Sequence, residues 1–191
     1  MLPELHTERL VMREVRLEDG LALQTIQNRP EQWRYQAVEP EELADGTLRL
    51  QRYFQHRGPD SNQRLFAYVA HDKQGALIGQ VSLSRFFHPA QASIGFGVAT
   101  EYWGQGYATE MAARLIGFGF DQIGLHRIGA DVAIENKPCQ RALEKTGMTY
   151  EGTARDCIWA RGRWWTEAKY AILEGEYADT RKMPAYGTSQ D

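Results

Sequence analysis

The sequence predicts an α/β fold of the α+β type, in which a mixed and mostly antiparallel sheet of about six to seven strands is flanked by about four helices. Three observations support this prediction. Short runs rich in β-branched and aromatic residues alternate with amphipathic segments of helical period. Two of these runs are joined by Asp72-Lys73-Gln74-Gly75, a composition typical of a hairpin turn. The chain has 191 residues, 42% of them hydrophobic, which suits a single globular domain.

The first half of the chain is expected to contain both helices and strands. A strand over residues 10–16 precedes a helix over residues 18–28, and Pro40 opens a second helix that Gly58-Pro59 ends. Three β-rich runs follow, over residues 65–71, 76–83 and 92–98.

The second half begins with a glycine-rich turn that leads into a helix over residues 107–122, with Met111, Leu115 and Phe118 on one face. A strand follows over residues 127–134, and then a short helix over residues 137–146 that Gly147 caps. The last two strands are expected over residues 149–160 and 164–173. The chain is polar from Asp179 onward. We therefore expect one domain over residues 1–178 and a flexible polar tail over residues 179–191.

Composition excludes several classes of protein. There are 22 basic and 25 acidic residues, so a net charge of -3 gives no overall field for a polyanion, and we expect no direct nucleic-acid partner. Cys139 and Cys157 have no zinc-ligand or CxxC spacing, which predicts no metal site and two reduced thiols. The charged start of the chain and the lack of a long apolar run predict a soluble, cytoplasmic protein that does not enter a membrane.

The turn Trp103-Gly104-Gln105-Gly106 is the first chemical clue. A helix that opens on glycines exposes unpaired N–H groups and the positive end of its dipole, which together can bind a phosphate. Glycines also form tight turns for conformational reasons alone. The dinucleotide fingerprint fits poorly, since its third glycine slot holds Thr109, and the absence of a following Lys-Ser or Lys-Thr excludes a P-loop.

Three motifs together resemble the GNAT superfamily of N-acetyltransferases. Residues 94–110 resemble its acetyl-CoA motif, Q/R-x-x-G-x-G/A, with Glu101 in the place of Gln or Arg. Residues 135–148 resemble its N-x-x-S…LEKxGF segment, and Gly162-Arg163-Trp164 resembles the turn before its last strand. Thr7-Glu8-Arg9-Leu10 is similar to its opening strand. Glu101 at this position, with Tyr102-Trp103 beside it, is typical of the branch that resembles the ribosomal-protein alanine acetyltransferases.

The resemblance implies a binding site for acetyl-CoA. The pyrophosphate would lie on backbone N–H groups of the turn, and the pantetheine arm would pair with residues 96–98 on a splayed strand that commonly carries a bulge. The N–H of Val98 would stabilise the oxyanion. Asn136 would bind the arm or cap its own helix. The implied cofactor-binding residues are Phe96, Val98, Trp103, Gly104, Gln105, Gly106, Tyr107, Ala108, Thr109, Asn136 and Cys139.

The catalytic groups are less clear from the sequence. Cys139 stands where the family has the Ser that protonates the leaving thiolate, and Leu143 stands where it has a Tyr. Since a cysteine and the coenzyme thiol both have a pKa of about 8.5, Cys139 is expected to assist weakly, and an acetyl-cysteine route is conceivable. In this branch a carboxylate on the strand after this helix has been proposed as the base, and the matching position here is Ile158. Asp156 lies two residues earlier and is expected to face the same side of the strand, so it is the candidate general base.

Three functions stay open. In the first, the enzyme acetylates a protein N-terminal α-amine. In the second, it acetylates a small amine, which is a polyamine, an antibiotic or an amino-acid derivative. In the third, the chain is a non-catalytic acyl-CoA-binding regulatory module. The acceptor channel is expected between the early helices and the last strands, lined by aromatic and acidic residues. These are residues 33–35, 39–45, 159 and 164–165. The assembly is predicted to be a monomer or a homodimer.

Overall fold

The computed structural model describes residues 2–38, 65–85 and 90–182. These residues form one sheet of eight strands: β1 Leu5–His6, β2 Leu10–Glu14, β3 Leu65–Asp72, β4 Leu77–Arg85, β5 Gln91–Val98, β6 Arg127–Ala133, β7 Thr149–Ala160 and β8 Arg163–Leu173. Five α-helices accompany them: α1 Gly20–Gln27, α2 Pro30–Trp33, α3 Tyr107–Asp121, α4 Lys137–Lys145 and α5 Glu174–Lys182.

The strand order across the sheet is β1-β2-β3-β4-β5-β6-β8-β7. Every neighbouring pair is antiparallel except β5 and β6, which are parallel. The hairpin expected at Asp72 is confirmed, because the Asp72 carboxylate accepts from the N–H groups of Gln74 and Ala76 while Gly75 takes a φ of 91°. The prediction of a mixed, mostly antiparallel sheet is therefore confirmed.

The parallel pair separates along its length. Residues 91–93 of β5 pair with residues 127–129 of β6, and no pairing joins the strands beyond Ser93 in the described residues. Residues 94–98 therefore leave one edge of β5 open within the sheet. The splay predicted at this strand is confirmed, and it forms without a register shift between β4 and β5, so the bulge that commonly accompanies it is absent from that pairing.

Helix α3 packs on the sheet beside this opening. Its predicted apolar face is confirmed, since Met111, Leu115 and Phe118 are buried in the main core. The core continues into β5 through Ile94 and Val98. This packing holds the N-terminus of α3 close to the unpaired end of β5. An anion bound at the start of the helix would therefore lie beside the splayed strand.

Some elements differ from the sequence expectations. Strand β1, helix α2 and helix α5 were not predicted, and α5 crosses the domain boundary placed at residue 179. Residues 183–191 and the helix expected from Pro40 to Gly58 lie outside the described residues. No helix in the described ranges is long and apolar enough to cross a membrane.

Candidate active site

The glycine turn has the backbone conformation that its sequence implies. Gly104 and Gly106 have φ angles of 75° and 82°, in the left-handed region that favours glycine, and Gly106 is the N-cap of the 15-residue helix α3. Residues 104–106 are exposed. The first-turn N–H groups of α3 have no partner within the helix, and a Cβ at Gly104 would meet nothing within 4 Å. This arrangement fits a pyrophosphate.

Arg9 braces this turn from the β1–β2 connection. Its Nη1 donates to the Gln105 carbonyl oxygen at 2.9 Å, its Nε donates to Glu110 Oε2 at 2.7 Å, and its guanidinium carbon lies 4.2 Å from the centroid of the Tyr107 ring. Thr7 donates its hydroxyl to Glu110 at 2.5 Å. The sequence reasoning missed this contact, although the Thr7-Glu8-Arg9-Leu10 resemblance marked its residues.

Glu110 stays ionised in this network. Its partial burial raises the pKa of the carboxyl, but hydrogen bonds from Thr7 and Arg9 and the charge of Arg9 outweigh that effect, so the net pKa is lowered. An anionic Glu110 holds the Arg9 guanidinium beside the turn, and that guanidinium also lies near the position that a side chain at residue 106 would take.

Val98 presents its main chain to the opening in the sheet. Ala99 N–H donates to the Ile78 carbonyl at 2.9 Å, and Val98 is the register partner of Gly79. Hydrogen-bonded and non-hydrogen-bonded pairs alternate in an antiparallel ladder, so the Val98 N–H points away from β4. It therefore points toward the edge that β6 leaves open, as an oxyanion donor must.

The Val98 carbonyl is fixed by two side chains. Trp103 Nε1 donates to it at 2.7 Å, and Gln32 Nε2 donates to it at 2.6 Å. Trp103 belongs to the glycine turn and Gln32 to helix α2. The Val98 carbonyl therefore connects the glycine turn, strand β5 and helix α2 through hydrogen bonds.

Glu101 has a partner that accounts for its departure from the motif. Arg29, between α1 and α2, donates Nη1 to Glu101 Oε2 at 2.8 Å and to Thr100 Oγ1 at 2.7 Å. The second nitrogen, Nη2, donates to Glu101 Oε1 at 3.2 Å. A Gln or Arg at residue 101 would lose this two-pronged ion pair. The negative charge at residue 101 is thus matched by a cation in the segment between α1 and α2.

A cleft lies between these helices and the sheet. It has a volume of about 110 Å³ and is lined by Leu23, Ile26, Gln27, Gln32, Gln36, Gly79, Gln80, Phe96 and Gly97. Gly97 immediately precedes Val98, so the cleft ends beside the open segment of β5. Sequence reasoning did not single out the four glutamines, because isolated glutamines carry no motif.

Gly79 permits a close approach of β4 to β5. A Cβ built at this residue would lie 2.1 Å from the Gly97 carbonyl oxygen, a backbone atom that cannot rotate away. Only glycine fits this contact. Gly79 was another residue that the sequence reasoning passed over.

Asn136 and Cys139 lie at the start of α4, where the sequence placed them. The Asn136 Oδ1 accepts from the Cys139 N–H at 3.2 Å, so the helix-capping role is observed. Cys139 is half-buried against the main core, and burial raises the pKa of its thiol to about 12. The thiol is protonated at neutral pH.

The position of Asp156 differs from the sequence argument. Three residues of β7, 155–157, oppose the single residue Thr166 of β8, and Asp156 has a φ of 47°. This bulge breaks the alternation that placed Asp156 on the same side as Ile158. Its exposed carboxylate accepts from the Thr166 hydroxyl at 3.4 Å, and β6 and β8 separate its strand from β5.

The aromatic residues expected at the acceptor channel divide into two kinds. Trp165 is only 2% exposed and donates Nε1 to the Ala160 carbonyl at 2.9 Å, so it is a core residue. Trp159 and Trp164 are exposed and contact each other edge to face, with ring centroids 5.4 Å apart. The acidic residues 39–45 lie outside the described residues.

A glycine turn that opens a helix beside a splayed strand defines the site of an acyltransferase that uses an acyl-coenzyme A. The chain belongs to the GNAT acetyltransferase family, whose domain model matches residues 9–149. The protein is accordingly an N-acetyltransferase that uses acetyl-CoA.

Comparisons with individual proteins agree with this assignment. The uncharacterized N-acetyltransferase YnaD of Bacillus subtilis is 32% identical over 173 residues, covering 90% of this chain and 97% of its own. A spermidine N(1)-acetyltransferase of Vibrio cholerae is 27% identical, with 88% and 95% covered. The putative ribosomal N-acetyltransferase YdaF of Bacillus subtilis is 30% identical over a shorter stretch, 54% of this chain and 57% of its own.

Solved structures share the fold. A GNAT acetyltransferase from Bacillus anthracis superimposes with a TM-score of 0.76 at 28% identity, covering 91% of this chain and 99% of its own. The Vibrio cholerae spermidine N-acetyltransferase in complex with CoA and spermine gives a TM-score of 0.78 at 24% identity, with 90% and 99% covered.

Proposed function

We propose that the acceptor of this acetyltransferase is the α-amine of a peptide or protein N-terminus. The observation that carries the proposal is the cleft beside Gly97 and Val98, whose described lining residues include no carboxylate and no other strong base. An amine that attacks there must reach its neutral form with little help from these lining residues.

The cost of that neutral form differs greatly between amines. An α-amine has a pKa of about 7.7–8.0, so roughly a tenth is neutral at pH 7 and supplying it costs about 1 kcal/mol. A lysine side chain with a pKa of about 10.4 costs over about 4 kcal/mol. A cleft whose described lining residues include no base therefore favours an α-amine or another amine of low pKa.

The residues that would hold acetyl-CoA are those already gathered around the opening. Phe96 and Val98 lie on the unpaired segment of β5, and the turn from Trp103 to Thr109 presents the start of α3. Asn136 and Cys139 lie at the start of α4. Acetyl-CoA supplies the activated thioester, and the Val98 N–H would donate to the carbonyl oxygen as negative charge develops on it.

The departing thiolate receives little help from Cys139. Transfer of a proton from a group of pKa about 12 to a coenzyme thiolate would run several pKa units uphill. We infer that solvent protonates the thiolate. The two unpaired cysteines also suit a reducing compartment, in keeping with a cytoplasmic location.

A small amine is the second candidate acceptor. The similarity to a spermidine N(1)-acetyltransferase over 88% of the chain favours it. The acids at residues 39–45, which would attract a polycation, belong to the part of the sequence whose placement is not described. Panels of peptides and polyamines separate the two candidates.

The decisive first experiment is calorimetric titration with acetyl-CoA, followed by the acceptor panels. Gly106→Glu places a carboxylate at the pyrophosphate position, and we expect it to abolish micromolar binding. Gly124→Glu is the matched control, because Gly124 also has a positive φ, 72°, and open space around its Cβ position, yet lies beyond the far end of α3. Equal binding by both variants would contradict the proposed cofactor site.

A further inference from the structure

The cleft beside Gly97 has unused hydrogen-bonding capacity. Four of its lining residues are glutamines, and within the described part of the chain the side chains of Gln36 and Gln80 make no hydrogen bond. Gln32 commits its Nε2 to the Val98 carbonyl, which leaves its Oε1 as an acceptor. The remaining walls are apolar, from Leu23, Ile26 and Phe96.

The cleft is also uncharged among its described lining residues. Arg29, in the segment between α1 and α2, is paired with Glu101 and is not among them. A charged group of the acceptor that entered the cleft, either an ammonium other than the reacting amine or a carboxylate, would lose its hydrating water without meeting an opposite charge. This desolvation costs free energy. A carboxamide or hydroxyl would instead exchange its water for the donors and acceptors of the glutamines.

We propose that this cleft is the subsite for the acceptor's first side chain, and that Gln36 and Gln80 select a small, neutral, hydrogen-bonding group there. The proposal rests on the proposed function, since it assumes a peptide acceptor whose α-amine lies at the Gly97–Val98 end. The subsite takes serine, threonine or asparagine at the peptide N-terminus and disfavours lysine and aspartate.

The size of the cleft sets a further limit. Its volume of about 110 Å³ is below the ~150 Å³ of a cavity that holds benzene. An aromatic first residue would have to keep its ring at the mouth of the cleft. Small side chains fill the cleft and still leave the α-amine beside β5.

A substitution at Gly97 tests whether the acceptor's first side chain occupies this cleft. A Cβ added there would meet nothing within 4 Å, and the residue has no positive φ, so Gly97→Val projects into open space at the cleft without backbone strain. We expect the acceptor KM to rise at least tenfold and by more than the Kd for acetyl-CoA, whose pantetheine arm would pair with the main chain of residues 96–98 and not with their side chains. Gly95→Val is the matched control, since Gly95 lies on the same strand, its Cβ would meet only Ser82 Oγ at 3.8 Å, and it lines no part of the cleft.

The selectivity test uses peptides that differ only in their first residue: Ser, Asn, Lys and Asp. The wild type is expected to show kcat/KM at least tenfold higher for the Ser and Asn peptides than for the two charged ones. Gln80→Glu and Gln36→Glu should raise kcat/KM for the Lys peptide and lower it for the Asp peptide. Gln74→Glu, on the exposed turn between β3 and β4, should leave all four values unchanged.

The peptide acceptor and the side-chain subsite are contradicted by different outcomes. Acetylation of all four peptides at similar rates, or Gln→Glu variants indistinguishable from Gln74→Glu, would overturn the subsite while leaving peptide acetylation intact. Acetylation of a linear polyamine but of no peptide, by protein that binds acetyl-CoA, would overturn the peptide acceptor and the subsite together.

Discussion

The indole N–H of Trp103 donates to the carbonyl oxygen of Val98 across 2.7 Å. Trp103 opens the glycine turn, and Val98 ends the strand whose outer edge β6 leaves open. The bond therefore fixes the distance between the two places proposed to contact acetyl-CoA, and it does so before any ligand is bound. Preorganisation of this kind lowers the cost of ordering the site on binding.

Trp103→Phe tests this preorganisation. A smaller aromatic ring replaces the indole and one hydrogen bond is lost, while Gln32 still donates to the same carbonyl at 2.6 Å. We expect the free energy of unfolding to fall by less than about 1 kcal/mol and the Kd for acetyl-CoA to rise about five- to twelvefold, which corresponds to an ordering cost of about 1–1.5 kcal/mol, the size of one lost hydrogen bond. Calorimetric titration measures the Kd. Trp159→Phe is the control, since Trp159 contacts Trp164 on the exposed hairpin, and an equal loss there would refute the role of Trp103.

Gly79→Ala tests the close approach of β4 and β5. The added Cβ would lie 2.1 Å from the Gly97 carbonyl oxygen, so the end of β5 must move. Overpacking of this kind costs about 1–3 kcal/mol, which chemical denaturation would detect. Acetyl-CoA affinity should fall as well, because the displaced segment includes Val98.

Gly129→Ala is the matched control for this substitution. Gly129 lies in β6, and a Cβ there would first meet the Tyr170 carbonyl oxygen at an ordinary 3.6 Å. Similar stability losses for both variants would show that strand glycine itself, and not the approach to Gly97, sets the effect.

Much of this architecture could be predicted from the sequence, because the relevant signals are local. The glycine turn, the apolar face of α3 and the Asp72 hairpin each depend on residues a few positions apart, and all three are confirmed. The contacts of Arg9 with Gln105 and of Arg29 with Glu101 join residues 96 and 72 positions apart. Such pairings depend on the final topology, so a single sequence gives no pattern for them.

The argument that Asp156 shares a face with Ile158 failed for a related reason. The prediction assumed that residues two positions apart on a strand share a face, which holds only while the ladder is regular. The bulge opposite Thr166 interrupts it, and no glycine or proline within residues 154–158 announces the bulge. The grouping of the four glutamines in the cleft could not be predicted for a different reason. The fold brings them together from α1, α2, the segment after α2, and β4.

Asp156→Asn tests whether that carboxylate acts as the general base. The side chain is exposed, is hydrogen-bonded to Thr166 and lies on the outermost strand. We therefore expect kcat/KM to fall by less than threefold, with no change in the acidic limb of the pH–rate profile. A loss of a hundredfold or more, with that limb displaced, would restore Asp156 as the base.

Glu110→Gln tests the electrostatic clamp on Arg9 through its pH dependence. The pKa of Glu110 is lowered in the folded protein, so its stabilising contribution is fully present above its unfolded pKa of about 4.3 and is lost as the pH falls through the lower folded value. Hydrogen bonds to a charged group contribute about 1.5–3 kcal/mol, which is the deficit expected for the variant at pH 7.

Denaturant unfolding from pH 7 down to pH 3 measures this difference. The gap between wild type and Glu110→Gln should close toward the acidic end, since the wild-type carboxyl becomes protonated there. A gap that stays constant with pH would mean that packing, and not the ionised carboxylate, accounts for the contribution of Glu110.

Cys139→Ala distinguishes a structural thiol from a chemical one. Burial raises the pKa of this thiol to about 12, so the nucleophilic thiolate is scarce at pH 7 and the protonated form is a poor acid toward the coenzyme thiolate. Because neither the covalent route nor strong acid catalysis is available to such a group, we expect kcat to change less than threefold. Steady-state kinetics measures kcat, and intact-protein mass spectrometry after rapid quenching should find no acetyl group on Cys139. A hundredfold loss of kcat together with a trapped acetyl-cysteine would show instead that the site lowers the pKa of the thiol when acetyl-CoA binds.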